Sequence, residues 1–281
     1  NSTGGNWHSS GNWSPSGVPN SNLVTASLTG STAPVTTIQL DSTVTLREIV
    51  VDGSSTYQLT GSGSVNLDGQ YEQADIVVTG GDHTWEVDLN ANAKTTVSVA
   101  AGASLGLGGT FDFDNVTVIK QGEGILYLDG NTPSGSGTLE VAGGTLAGSG
   151  DVNGDLLVAS AVVAPGHGIG TLNVRGDFSL ESQATLQIDI EGPSSKDTLT
   201  VLGDADLAGS LEVVLNGGYQ PALGAQFLVM IANNVIDNGL TLTGANADDF
   251  EANFYGSSLI LTSLFAGLEG DYNKDGIVDA A

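Results

Sequence analysis

The segment GDYNKDGIVDAA (270–281) carries the clearest pattern for ligand chemistry in the sequence. Oxygen-bearing side chains recur at alternate positions, and a glycine occupies the point where such a loop turns sharply. Hard cations such as Ca²⁺ take six to eight oxygen ligands, which alternate residues of one loop can supply. The D-x-N-x-D-G spacing therefore predicts one calcium ion, held by Asp271, Asn273, Asp275, Asp279 and the backbone carbonyl of Ile277. The loop's usual last carboxylate is not in the segment, so we expect water, or a carboxylate from the next residue or a neighbouring subunit, to complete the shell.

Outside this segment the sequence shows no residue set that predicts catalysis. The histidines share no local motif and lie far apart in the chain: His8, His83 and His167. The densest carboxylate cluster is Asp248, Asp249 and Glu251, which we interpret as a solvated turn. The signatures of serine hydrolases, P-loop proteins and zinc peptidases do not occur. We therefore predict that the protein is not an enzyme, with cleavage of a polysaccharide as the least favoured alternative.

The charge balance restricts the partners that the chain can bind. It contains 6 Lys+Arg against 32 Asp+Glu, a formal net charge of -26, and no Cys. Nucleic acids and anionic membranes attract clustered Lys and Arg, so we expect no nucleic-acid partner. No apolar run reaches the roughly 18–20 residues of a spanning helix, so we expect no membrane insertion. Without Cys there is no disulfide framework and no Cys-ligated zinc.

Short strands separated by tight corners dominate the sequence. In TIQLDSTVTLREIVV (37–51), apolar residues alternate with polar ones at the period of two that marks a strand, and Asp52-Gly53 follows as a turn pair. The pattern recurs with a loose period of roughly 18–25 residues, within the range of repeat proteins. It predicts an all-β fold, an elongated stacked β-solenoid, with tandem β-sandwiches as the alternative. The solenoid should bury ladders of aliphatic residues, among them Leu46, Val65, Val87, Val97, Leu105, Val118, Leu126, Leu139, Leu156, Leu172, Leu186, Leu199 and Leu211.

Three segments resemble the repeats of bacterial autotransporter-type passenger proteins. WHSSGNWSPSGVPNSN (7–22) resembles their opening segment, and VVAPGHGIGTLNVRGDFSLESQATLQIDI (162–190) resembles their P-G-x-S-x-G-T-L-x-V-x-G-[ND]-[FY] signature. The segment 197–232 is also similar, so the resemblance extends over most of 1–262. It implies a right-handed parallel β-helix that is exported to the cell surface and has no enzyme activity of its own. The calcium segment resembles part of the dockerin-type repeat, common at the C-termini of large secreted proteins of planctomycete-like bacteria.

These patterns predict three regions and an extracellular structural role. We expect an aromatic and polar cap over 1–22, solenoid repeats over 23–265, and a linker with the partial calcium loop over 266–281. Trp7 and Trp13 should cap the solenoid core, although they are also typical of a carbohydrate-binding face. The strand-like SSLILTSLF (257–265) should leave an open edge at the other end.

The expected function is that of a secreted structural protein of the cell surface or extracellular matrix. Open strand edges at both ends favour self-association, head to tail or by strand exchange, into a fibre, sheath or surface layer. The alternative is an adhesin or tether that uses its calcium-loop tail. In that case a glycan or another cell-surface component is the expected partner.

Overall fold

The computed structural model describes residues 4–53, 55–69, 73–132 and 135–265. The predicted calcium ligands Asp271, Asn273, Asp275, Ile277 and Asp279, with the whole predicted region 266–281, lie outside the described residues. Strands make up almost all of the regular structure. The described residues contain two short 3-10 helices, Ser10–Asn12 and Ala247–Asp249.

The strands of the first half are β1 (Gly5–Asn6), β2 (Ser21–Leu28), β3 (Val35–Gln39), β4 (Val44–Val51), β5 (Thr56–Thr60), β6 (Ser64–Leu67), β7 (Gln73–Val78), β8 (Asp82–Trp85), β9 (Asp88–Ala91), β10 (Lys94–Val99), β11 (Ser104–Leu107), β12 (Phe111–Asp112), β13 (Thr117–Gln121), β14 (Ile125–Leu128) and β15 (Thr138–Val141). Those of the second half are β16 (Thr145–Gly148), β17 (Asp151–Val152), β18 (Asp155–Val158), β19 (Val162–Pro165), β20 (Thr171–Val174), β21 (Phe178–Leu180), β22 (Thr185–Ile190), β23 (Thr198–Val201), β24 (Asp204–Leu207), β25 (Ser210–Leu215), β26 (Gln226–Ile231), β27 (Asn234–Asp237), β28 (Thr241–Thr243), β29 (Phe250–Phe254) and β30 (Ser258–Ser263).

These strands wind into a parallel β-solenoid. Successive strands of a turn belong to three faces, as β8, β9 and β10 do. Face one is an 11-stranded sheet from β1 to β28. Face two runs from β2 through β4, β7 and β10 to β27, and face three runs from β6 through β9 and β12, then from β17 to β26. The long parallel ladders confirm the solenoid and exclude the tandem β-sandwiches, which are built from antiparallel sheets.

The length of a turn varies more than the sequence period indicated. Paired residues on face one are 17 positions apart at Thr145 and Val162, and 31 apart at Ser210 and Thr241. The extra residues are in the corners, because the strands themselves remain in register. A stacked fold tolerates such loops, since the entropic cost of closing a loop grows slowly with its length.

The aliphatic ladders form the core as predicted. All thirteen of the predicted residues are buried, from Leu46 to Leu211. On face one, for example, Leu105 stacks on Leu126, and Leu126 stacks on Leu146. Since strand side chains alternate between the two sides of a sheet, the residues between these positions face solvent. Removing one such leucine should cost about 2–5 kcal/mol.

Glycine and aspartate together form the corner between faces three and two. Gly176 leaves no room for a side chain, because a Cβ there would lie 2.2 Å from Asp155 Oδ1 and 2.7 Å from the backbone carbon of Gly154. Asp155 Oδ1 accepts the N–H of Asp177, and Asp177 Oδ1 accepts the N–H of Asp204. The repeated Gly-Asp pairs of the sequence are therefore a stacked ladder in which each carboxylate caps the next turn.

The expectation that SSLILTSLF leaves an open edge is wrong. Its strand, β30, pairs antiparallel with β26 on one side and with β29 on the other. Phe250 of β29 is buried and lies with its ring centroid 6.2 Å from that of Phe227. The chain therefore reverses direction after its last turn, and a hairpin replaces the next parallel strand of face three.

Candidate functional site

The N-terminal end of the solenoid has two packed tryptophans and an open cleft. Trp7 is fully buried, and Trp13 lies edge-on to it with the ring centroids 4.8 Å apart. Trp7 Nε1 donates to the carbonyl of Pro19 at 3.1 Å, and Trp13 Nε1 donates to the carbonyl of Trp7 at 2.7 Å. Both indoles thus pack onto the end of the core, the arrangement expected of a cap, and not as a flat exposed row of the kind that stacks on sugars.

Beside the two indoles is an open cleft of about 580 Å³. One wall is the segment 4–7 with residues 12–19, and the other includes β2 and the residue that follows it, Thr29. Tyr57 contributes to the cleft, although its ring is almost fully buried. The lining contains serine, threonine, asparagine, proline, glycine, aliphatic and aromatic residues, and none of it is charged. The cleft is therefore suited to an uncharged ligand or an uncharged polypeptide.

The structure keeps the three histidines apart. His83 is buried, where its Nδ1 accepts the N–H of Tyr57 and its Nε2 donates to the carbonyl of Gly80. Burial lowers the pKa of His83 below its ordinary value. The neutral ring replaces an aliphatic side chain in the ladder, because it lies opposite Leu105 on face one.

The other two histidines are on the surface and belong to different contacts. His167 stacks on Tyr127 with the ring centroids 4.1 Å apart, and its Nε2 is 2.8 Å from Asp129 Oδ2. His8 Nε2 lies 3.0 Å from Ser42 Oγ and 3.2 Å from the Ser42 carbonyl. A hydroxyl beside an imidazole is one element of nucleophilic catalysis, which also needs an orienting group and oxyanion donors.

The carboxylate cluster of the sequence forms a surface turn. Asp248 and Asp249 belong to the second 3-10 helix, and Glu251 follows on β29. Asp248 and Glu251 are exposed, and Asp249 is half-buried. Among the described residues no group of three or more His, Asp or Glu side chains could hold a metal ion. The calcium prediction thus depends on the segment that the structure does not describe.

Sequence reasoning missed a buried lysine on face two. Lys120 is fully buried and lies between Val97 and Val141 in the ladder. Its Nζ donates to the carbonyls of Gln121, Gly122 and Gly143 at 2.9–3.2 Å. Burial lowers the pKa of Lys120 to about 8. Its position two residues after the core residue Val118 was the available signal, since it places both on the same side of the strand.

A second buried ionisable group lies where face one meets face three. Asp197 accepts the N–H of Gly170 at 2.8 Å and that of Asp189 at 2.9 Å. These bonds favour the charged carboxylate, but burial outweighs them and raises the pKa of Asp197 to about 7. The nearby Asp189 is held by the side-chain amides of Gln187 and Asn216. The carboxylates thus fasten the loop 191–196 to β22.

Face three contains an ion pair between a buried aspartate and a partly exposed arginine. Arg175 Nη2 donates to Asp151 Oδ2 at 2.8 Å, and the Asp151 side chain is almost completely buried. Asn153 is also buried, and its Nδ2 donates to Asp112 Oδ1 at 2.9 Å. Because a buried carboxylate is costly without a partner, Arg175 is needed to hold Asp151 in the folded state.

Comparisons with known proteins connect the fold to exported proteins of bacteria. No family model matches the chain. It is 34% identical over 115 residues to the extracellular serine protease of Serratia marcescens, which covers 40% of this chain and 10% of the protease. It is 26% identical over 191 residues to the adhesin BmaC autotransporter of Brucella suis biovar 1 (strain 1330), which covers 60% of this chain and 6% of the adhesin.

The chain thus spans a tenth or less of the length of these relatives. Together with the solenoid, the similarities fit an autotransporter-passenger-like β-helix and suggest a surface or extracellular role. In the described residues there is no helix long and apolar enough to span a membrane.

Proposed function

We propose that the protein is a secreted, non-enzymatic structural element of the bacterial surface or extracellular matrix, which acts as a subunit of a larger assembly. The observation that carries this proposal is the continuous pair of parallel sheets, with 11 strands on face one and 13 in the sheet that contains face two. Each turn is hydrogen-bonded to the next, which gives a stiff elongated body suited to a fibre, sheath or surface layer. The distant similarity to an adhesin passenger supports the extracellular location.

Self-association is tested on native material. Negative-stain microscopy and light scattering at high protein concentration, with and without millimolar Ca²⁺, should show polymers or ordered assemblies. Divalent cations should strengthen them, because subunits of charge -26 repel one another until counterions screen the charge. A sample that remains monomeric under all of these conditions would contradict the structural role.

A calcium-binding tail is part of this proposal. Asp271, Asn273, Asp275, Asp279 and the Ile277 carbonyl would supply oxygen ligands of the kind that Ca²⁺ prefers. Calorimetry on a chain that includes 266–281 should show one calcium site, and Asp271→Ala should abolish it. Equal calcium uptake by both proteins would exclude the site.

An adhesin or tether is the second candidate, favoured by the name of the Brucella relative. In this role the chain would stay monomeric and bind a glycan or another surface component. Binding to cell-wall or capsular polysaccharide by monomeric protein, with no polymers in microscopy, would favour this candidate over the first.

A further inference from the structure

The N-terminal end of the solenoid is almost free of charge. Residues 1–40 contain no Asp, Glu, Lys or Arg, so all 6 basic and all 32 acidic residues follow Leu40. The residues that line the cleft are uncharged as well. At the opposite end, Asp237, Asp248 and Glu251 are exposed. The molecule is thus electrostatically polarised along its axis, with one neutral end and one acidic end.

This neutral end also presents an unpaired strand. β2 is 8 residues long and pairs with β4 along one edge. In the described part of the chain no strand pairs with its other edge, and β2 residues line the open cleft there. Leu23 is 58% exposed and lies between Ser21 and Thr25, where the register of pairing with β4 shifts. Native proteins protect long edge strands with charges or proline, and β2 has neither.

The charges nearest to β2 do not protect its edge. Arg47 and Glu48 lie 2.9 Å apart as an ion pair, and both contact Thr25 Oγ1. Asp41 accepts a hydrogen bond from the side chain of Asn6. Asp52 donates its backbone N–H to the carbonyl of Leu28. One balanced pair and two carboxylates therefore stand near this end of a molecule whose net charge is -26.

We infer that this end is an interface between two copies of the chain, which join head to head through the free edges of their β2 strands. The inference rests on the self-association proposed above and specifies which surfaces meet. Two like-charged bodies repel least when their neutral ends meet and their acidic ends point apart. A head-to-tail contact would instead bury the acidic end against a surface with no matching cations, which costs desolvation.

Head-to-head contact has a defined geometry. A two-fold axis between the copies places the same patch of each against the other. Two β2 strands then run antiparallel and satisfy each other's free N–H and C=O groups. Any polymer would be built from such dimers and would need a second contact at the acidic ends, where cations must screen the charge.

Single cysteines test the inference sharply, because the natural chain has none. Leu23→Cys and Ser27→Cys place a thiol at exposed positions of β2, and a disulfide requires Cα atoms within about 7 Å of each other. A two-fold axis near position 23 or 27 links one variant to its own copy, and an axis near the strand centre links position 23 to position 27. Under mild oxidation, at least one of the two variants alone, or an equimolar mixture of both, should therefore give disulfide-linked dimers. Leu223→Cys, 68% exposed in the loop before β26, should remain monomeric as the matched control. A head-to-tail contact brings no two β2 strands together, so the absence of linked dimers in both variants and in their mixture would overturn the inference.

A charge on the strand gives an independent measurement. Leu23→Glu places two like charges across the dimer axis and should raise the dimer dissociation constant at least about tenfold in sedimentation equilibrium. Leu223→Glu should leave it unchanged, and circular dichroism should show that both variants fold. Polymers that form equally well from Leu23→Glu would overturn the head-to-head contact and leave the structural role intact. Linked dimers without polymers would support the contact and contradict the fibre.

Discussion

Lys120 offers the sharpest test of the packing inside the solenoid. Its stem fills a ladder position between Val97 and Val141, and its ammonium group binds three backbone carbonyls at the adjoining corner. The folded protein therefore holds a cation in a buried site, where desolvation favours the neutral amine. Lys120→Met keeps most of the apolar stem and removes the titrating group.

The expected effect is a change in stability with pH. Burial lowers the pKa of Lys120 from 10.5 in the unfolded chain to about 8 in the folded protein. Between these values the unfolded chain binds more protons, so the free energy of unfolding rises with pH. At 1.36 kcal/mol for each pKa unit, the gain from pH 8 to pH 10.5 is on the order of 3 kcal/mol. Lys120→Met lacks this contribution at every pH.

Urea unfolding followed by tryptophan fluorescence measures the effect at several pH values from 7.5 to 10.5. The difference in unfolding free energy between the natural protein and Lys120→Met should increase by on the order of 3 kcal/mol over this range. Tyrosines and other groups titrate equally in both proteins and cancel in the difference. Lys94→Met, which removes an exposed lysine from β10, should give a constant difference. A constant difference for Lys120→Met as well would refute a charged, desolvated Lys120.

Two further predictions concern the corners. Because the carboxyl pKa of Asp197 is raised, the folded state binds the proton more tightly than the unfolded chain, and this group stabilises the fold as the pH falls from about 7 to about 4. Asp197→Asn should abolish this gain. Urea unfolding at pH 4.5 and pH 7.5 measures the difference in unfolding free energy. Gly176→Ala should lose about 1–3 kcal/mol, because its Cβ would collide with Asp155 and Gly154. Gly17→Ala, with no atom within 4 Å of its Cβ, should change the urea midpoint little, and equal losses at both sites would contradict the stacking argument.

The sequence was sufficient to predict the fold and its core, because both follow from local patterns. A period of two separates buried from exposed positions in each strand, as at Leu105 and Leu126, and Gly-Asp pairs mark the corners between strands. Stacking then follows, since each short strand can bury its apolar side only against the next turn. The hairpin of β29 and β30 could not be predicted this way. The apolar pattern of Leu259 and Leu261 is the same for a parallel and an antiparallel partner.

The candidate site was less predictable, because it depends on where charged residues and unpaired strand edges lie in space. The sequence placed Trp7 and Trp13 at a cap, but nothing in the order of residues shows that the free edge of β2 lies beside them. The burial of Lys120 was not predicted, because a single lysine in a chain with few basic residues is expected at the surface. Only its alternation with Val118 indicates that it points inward.

The positions of the carboxylates explain how a chain of net charge -26 stacks its turns so closely. If only the net charge is considered, the carboxylates repel one another and oppose stacking. In the structure several of them are part of the stacking itself. Asp155 and Asp177 each accept a backbone N–H from the next turn, and Asp204 accepts the side-chain amide of Asn233. Asp114 does the same with Ser136, and those hydrogen bonds lower its pKa. These backbone donors offset part of the repulsion within one molecule. Contact between the acidic surfaces of two molecules would lack this compensation, which favours the uncharged end as the surface that we propose meets a second copy.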